Sequence, residues 1–136
     1  VMTDRAFIDQ ANQRCRAALP PLRPQDTSRA ASVAPDQIAD QAMRAADGLA
    51  VLSRELRSVP VALEQKPFVE GWLDGWATFI DAGRRYAQAL RSGDVDAANK
   101  VAKSGDPAQR RADAFARGND LDPCLLQSAI RKPRGP

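Results

Sequence analysis

Apolar residues recur at intervals of three and four along most of this chain, and prolines and glycines cut the pattern into four pieces. The first piece runs through Phe7, Ile8, Ala11, Cys15, Ala18 and Leu19, with Thr3 or Asp4 placed to cap a helix. It stops at LPPLRP, where Pro20, Pro21 and Pro24 cannot donate to a helix ladder and hold the backbone before them extended. The polar stretch QDTSRAASVAP then leads to Pro35, so residues 20–35 are expected to be an irregular Pro-rich connection, a crossover or strap along a bundle. Pro35 or Asp36 opens the second piece, whose Ile38, Ala42, Ala45, Leu49, Leu52 and Leu56 step by four and three in turn. After RSVP and a short VALEQ, a third helix is expected over about 67–92. It carries Phe68, Val69, Trp72, Trp76, Phe79, Ile80, Gly83, Tyr86, Ala87 and Leu90 on one wide face. Most of the aromatic residues lie there, which makes it the expected central helix.

Gly93 and Asp94 read as the end of that helix and the cap of a fourth, which runs through Ala98, Val101, Ala102, Ala108, Ala112 and Phe115 to about Arg117. Pro107, with Gly105 close before it, predicts a kink in this last helix or its division into two abutting ones. GNDLDPC is a turn that brings the chain back to the body. The pattern as a whole predicts an all-α, up-and-down four-helix bundle forming a single domain over residues 1–136, with a flexible basic tail over 129–136.

Composition sharpens that picture. Hydrophobic residues make up 43% of the 136 residues but aromatics only 5%, and alanine is abundant, so the helices must approach closely instead of being spaced by bulky side chains. No apolar run approaches the roughly 18 residues of a membrane span, and no charged-then-apolar leader is present, so export would require a leader or anchor outside these residues. The net charge of +3 falls entirely on the last quarter of the chain, from Lys103 onward, which ends in RKPRGP. Such a tail offers at most a weak electrostatic contact with an anionic membrane.

Residues that carry chemistry are few. There is no histidine, the two cysteines are far from a CxxC spacing and cannot close a zinc site alone, and no nucleophile-elbow, phosphate-loop or dinucleotide motif occurs. These features predict a non-catalytic protein without a metal or cofactor. Glu70, Asp74 and Asp81 lie at helical spacing, but Arg84 and Arg85 follow Asp81 by three and four residues, which reads as surface ion pairing. The most distinctive stretch is GWLDGW, which sets Gly71 and Gly75, and Trp72 and Trp76, four apart on adjacent stripes of one helix. Structurally, a neighbouring helix packs against both glycines while the tryptophans fill the core; functionally, the four residues wall a groove for an apolar ligand or a partner helix.

Taken together, FIDQANQRC, LPPLRP, the SGD helix start and the closing RRADAFARGNDLDPC resemble a group of small secreted or membrane-anchored actinobacterial helical-bundle proteins of unknown function. In that group a cysteine in the first helix and one near the C-terminus bracket the bundle and pair. The resemblance implies a disulfide between Cys15 and Cys124 and an extracytoplasmic location, and it implies no activity. Two buried free thiols are the alternative for this pair. The expected function is a protein-interaction or structural module of the cell envelope, or else a small carrier of an apolar ligand or lipid in a groove beside Trp72 and Trp76. The expected partner is an envelope protein or apolar ligand, and nucleic acid is not expected at a charge of +3 without clustered arginines.

Overall fold

The computed structural model describes residues 1–22 and 34–130. Its main elements are α1 (Arg5–Ala18), α2 (Pro35–Ser58), α3 (Lys66–Arg91) and α4 (Val95–Gly118), followed by a single turn of helix, α5 (Gln127–Ile130). Short 3₁₀ turns at Pro20–Leu22, Leu63–Gln65 and Asp122–Cys124 join or extend them, and no strand occurs among the described residues. The expected strap at 20–35 and tail at 129–136 lie largely outside the described residues.

Helix α3 packs along its length against α2 on one side and α4 on the other, so its buried face is wide: Val69, Trp72, Leu73, Trp76, Ile80, Ala82, Ala87 and Leu90. Leu73, absent from the expected stripe, is fully buried, while Phe68, placed on that stripe, is about half exposed. Phe68 sits in the first turn of α3, next to the buried Val69. Gly93 adopts φ +82°, which glycine tolerates without a Cβ clash, and turns the chain so that Asp94 caps α4 by accepting from the Ala97 N–H at 2.9 Å.

The two seams of α3 are built differently. Against α2 it pairs Arg91 with Asp40, Arg84 with Asp47, and Asp74 with Arg57, at 2.7 to 3.2 Å. A step of seven and then one of ten forward on α2 are answered by equal steps back on α3, which is a single antiparallel register. Against α4 small residues meet along one line, and Trp72 stacks on Phe115 beside it. A Cβ built on Gly75 would lie 3.7 Å from Ala112 Cβ, and one on Gly105 only 3.0 Å from Ala82 Cβ, so glycine faces alanine at two levels a heptad apart. Ala89 and Ala98 continue the step into the far end of the bundle, where a small cluster of Ala39, Ala87, Leu90 and Ala98 is buried.

Helix α4 is continuous from Val95 to Gly118 with Pro107 inside it, so the split considered from the sequence does not occur. Losing one i to i−4 hydrogen bond at a proline costs a few kcal/mol, and Gly105 against Ala82 and Ala108 and Ala112 beside Gly75 pack both sides of Pro107 against α3.

Helix α1, at 14 residues, covers only half the length of α2. Its N-terminal cap Asp4 accepts from Phe7 N–H within α1 at 3.1 Å and from Ala62 N–H, beyond the end of α2, at 2.7 Å. At its other end Leu22 sits against Gly48 in mid-α2, so closely that a Cβ there would meet the Leu22 side chain. The large core therefore lies at the end of the bundle holding α1, where Phe7, Ile8, Ala11, Cys15 and Leu19 join Leu49, Leu52, Leu56, Trp72, Leu73 and Trp76.

Two consequences are measurable. Gly71 has nothing within 4 Å of a built Cβ and lies mid-helix, so Gly71→Ala should stabilise the protein by about 0.5–1 kcal/mol through helix propensity, whereas Gly105→Val should destabilise it by about 1–3 kcal/mol through overpacking against Ala82. Urea denaturation of the two variants checks both signs. Asp4 is held below the usual carboxylate range by the hydrogen bonds from Ala62 N–H and then Phe7 N–H, which favour its charged form. A folded-state pKa below the unfolded one adds stability that is present above the unfolded value and disappears as pH falls through the folded value. Asp4→Asn should therefore lower the melting temperature near neutral pH and flatten its decline towards about pH 2, and a profile parallel to that of the unmodified protein would refute this role.

Candidate functional site

Three features bear on function: the cysteine pair, the tryptophan pair and a polar cleft on α4. Cys15 and Cys124 are joined by a disulfide with an S–S distance of 2.07 Å, and both are fully buried. Cys15 reaches it from the inner face of α1, beside Ala11 and Leu19. Cys124 is delivered by the exit from α4. Asp120 adopts φ 60°, a left-handed conformation that aspartate accepts more readily than most residues, and Leu121 N–H returns to Ala116 O at 2.8 Å to close the helix end. The following 3₁₀ turn then lays Cys124 under α1.

Polar contacts reinforce this end. Asn12 Nδ2 donates to Asp120 O at 2.8 Å, Asn119 Nδ2 donates to Phe115 O at 2.8 Å, Met2 N–H donates to Asn119 Oδ1, and Arg5 pairs with Asp120 at 3.0 Å. Gln65 Oε1 accepts from the N–H groups of Thr3 and Asp4. The first residues of the chain are thus tied both to the turn before α3 and to the end of α4.

The four residues of the GWLDGW motif separate into different environments. Trp72 and Trp76 are 3% and 0% exposed, their rings edge to face at 5.5 Å, with Trp72 stacked on Phe115 at 5.6 Å. Their Nε1 atoms are buried with no hydrogen-bond partner among the described residues, a cost that the apolar burial of the rings has to offset. Gly75 faces α4 as expected, but Gly71 is exposed and meets no neighbour. The expectation of a helix packed against both glycines therefore holds at Gly75 and fails at Gly71. The reason is geometric: α4 lies on the Gly75, Ala82 and Ala89 line, and Gly71 is one helical turn from Gly75 but 40° around the helix from it. Buried as they are, the tryptophans offer no wall to an open groove.

A cleft lies elsewhere on the surface of the described residues. It has a volume of about 420 Å³ and is lined by Asp106, Gln109, Arg110, Asp113 and Arg117 of α4 and by Gln127 of α5. Asp113 organises it. Although 1% exposed, its carboxylate is satisfied by Leu126 N–H at 2.7 Å, Gln127 N–H at 3.1 Å and Gln109 Nε2 at 2.8 Å. Arg117 Nη2 donates to Gln127 Oε1 at 3.1 Å. The sequence reading passed over these residues. A single aspartate amid apolar positions at 108, 112 and 116 was the available signal, since a buried carboxylate needs donors and the turn after α4 was the nearest source of them.

Asp81 pairs with Arg85 at 2.9 Å and Asp74 with Arg57 at 3.2 Å, so two of the three carboxylates at helical spacing serve as surface ion-pair partners. Among the described residues no group of three or more cysteine, aspartate or glutamate side chains is placed to hold a metal ion, and no helix is long and apolar enough to cross a membrane.

Compared with known families, with curated proteins and with solved structures, the chain matches none. Of what the resemblance to the actinobacterial group implied, the pairing of Cys15 with Cys124 is the part the structure shows.

Removing the crosslink should be costly. The bond closes a loop across a sequence separation of 109 residues, for which the chain-entropy model gives on the order of 4–5 kcal/mol. Cys15→Ala with Cys124→Ala should lower the unfolding free energy by about 2–5 kcal/mol in denaturant titrations under oxidising conditions. A loss under about 1 kcal/mol would show that helix packing alone fixes this end.

Proposed function

We propose that this chain is a non-catalytic helical module that works outside the cytoplasm, as a structural or protein-interaction domain in an actinobacterial cell envelope. The observation that carries the proposal is the fully buried disulfide joining the first helix to the far end of the chain. A crosslink of this kind forms and persists in an oxidising compartment and is rare where thiols are kept reduced. The composition supports the same reading, since a chain without histidine and with no recognisable catalytic motif lacks the usual means of acid, base or nucleophilic chemistry.

The test is the redox state of the native protein. Cells producing it from its own gene are quenched in acid, their free thiols are blocked with a mass tag, and the protein is analysed before and after reduction. The module outside the cytoplasm should carry no tag until reduced and should partition with the envelope fraction. A cytoplasmic protein with both thiols tagged would overturn the proposal. An apolar-ligand carrier would behave differently under Trp72→Ala and Trp76→Ala, losing a co-purified lipid while keeping its melting temperature. A core role predicts instead a loss of about 3–5 kcal/mol of stability for either change.

A further inference from the structure

We propose that the cleft on α4 is a binding site for a phosphate group, held between Arg110 and Arg117. The first observation is how the cations of this protein are used. Arg5, Arg14, Arg57, Arg84, Arg85 and Arg91 all form ion pairs, five of them with a carboxylate on another element. The cations without an ion pair among the described residues are Arg16 of α1, Arg44 and Arg54 of α2, Lys66 of α3 and, as the largest group on one helix, Lys100, Lys103, Arg110, Arg111 and Arg117 of α4, these last five all exposed. The helix keeps its positive charge unspent.

The second observation is the cleft itself. At about 420 Å³ it falls within the range of small-molecule sites, and it lies on a rigid support. Arg110 and Arg117 are seven residues apart, which places them on one face of α4 about 10 Å apart along its axis. Asp113 lies between them in sequence, but its carboxylate is turned inward onto two backbone N–H groups and the Gln109 amide, so its lone pairs are largely taken. Gln127 orients Arg117 through its carbonyl oxygen, leaving its own amide N–H₂ and the remaining guanidinium donors for a ligand. Donors thus approach from two turns of α4 and from α5. A planar carboxylate is satisfied by one guanidinium fork, whereas a tetrahedral phosphate accepts from several directions, which is the arrangement here. Two carboxylates on the cleft's lining oppose the charge of the ligand: Asp113, buried and engaged by its three donors, and Asp106, which is exposed.

The phosphate belongs either to a soluble ester or to a lipid headgroup, and the experiment separates them. The intact disulfide-bonded chain is titrated calorimetrically with glycerol 1-phosphate, and its sedimentation is measured with vesicles of phosphatidylglycerol and of phosphatidylcholine alone. Binding to the ester assigns a soluble source, and binding to phosphatidylglycerol vesicles without the ester assigns a headgroup; either supports the site. Arg110→Gln with Arg117→Gln should then weaken binding about tenfold or more at an unchanged melting temperature, Arg111→Gln outside the cleft should leave it unchanged, and Asp106→Asn should tighten it. Neither probe bound, equal binding by the double variant, or weaker binding by Asp106→Asn would each overturn the proposal.

Discussion

The approach of α3 to α4 is the constraint on which the rest of this structure depends. A core with so few large side chains can bury enough surface only if its helices come close, and closeness requires that facing positions be small. Gly75 against Ala112 and Ala82 against Gly105 meet that requirement a heptad apart. With α4 drawn in along this line, Trp72 and Trp76 are buried in the core shared with α1 and α2, Trp72 stacked on Phe115 of α4. The glycines cost helix propensity, and the packing of the tryptophans and of the neighbouring alanines is what offsets it.

The bundle that results is unequal from end to end. One end contains four helices, the larger core, the disulfide and the hydrogen bonds of Asp4, Gln65, Asn12 and Asn119. Among the described residues, the other holds α2, α3 and α4 around a small cluster rich in alanine. Conformational entropy must be overcome locally as well as globally, so opening should begin at the end with less buried apolar surface, and the crosslink resists it at the other. The ion pairs Asp40 with Arg91 and Asp47 with Arg84 fall towards the weaker end, where register depends least on large side chains. Their individual contribution is small because they are exposed, but a pair repeated at heptad spacing still opposes a shifted alignment.

How much of this was legible in the sequence follows from which forces were local. The four helices, the Asp94 cap and the turn at Gly93 are set by periodicity and backbone chemistry within a few residues, and each lies close to where the sequence placed it. Phe68, Leu73 and Gly71 were misassigned because a single stripe was drawn on a helix that meets two neighbours, and the angle between those neighbours is a property of the assembled bundle. Pro107 was read for its local cost, while the tertiary seam that keeps α4 whole is not written near it. The cleft could not be drawn at all without knowing that Leu126 and Gln127 fold back onto Asp113, a contact across a turn whose direction depends on the left-handed Asp120 and on the bond to Cys15.

The contrast between the two seams also explains why α4 has charge to spare. Antiparallel helices can be aligned either by complementary charges at their edges or by the fit of small residues between their axes. The α2–α3 seam uses the first and takes up arginines and aspartates in pairs, whereas the α3–α4 seam uses the second and takes up none. The cations on the outer face of α4 form no ion pair among the described residues, and Arg117 makes only the hydrogen bond to Gln127 of α5. A net positive charge concentrated on this helix and the sequence that follows it is thus available to a partner outside the bundle. The buried Asp113, by anchoring α5 without drawing either arginine into an ion pair, keeps that charge at the surface beside a concavity.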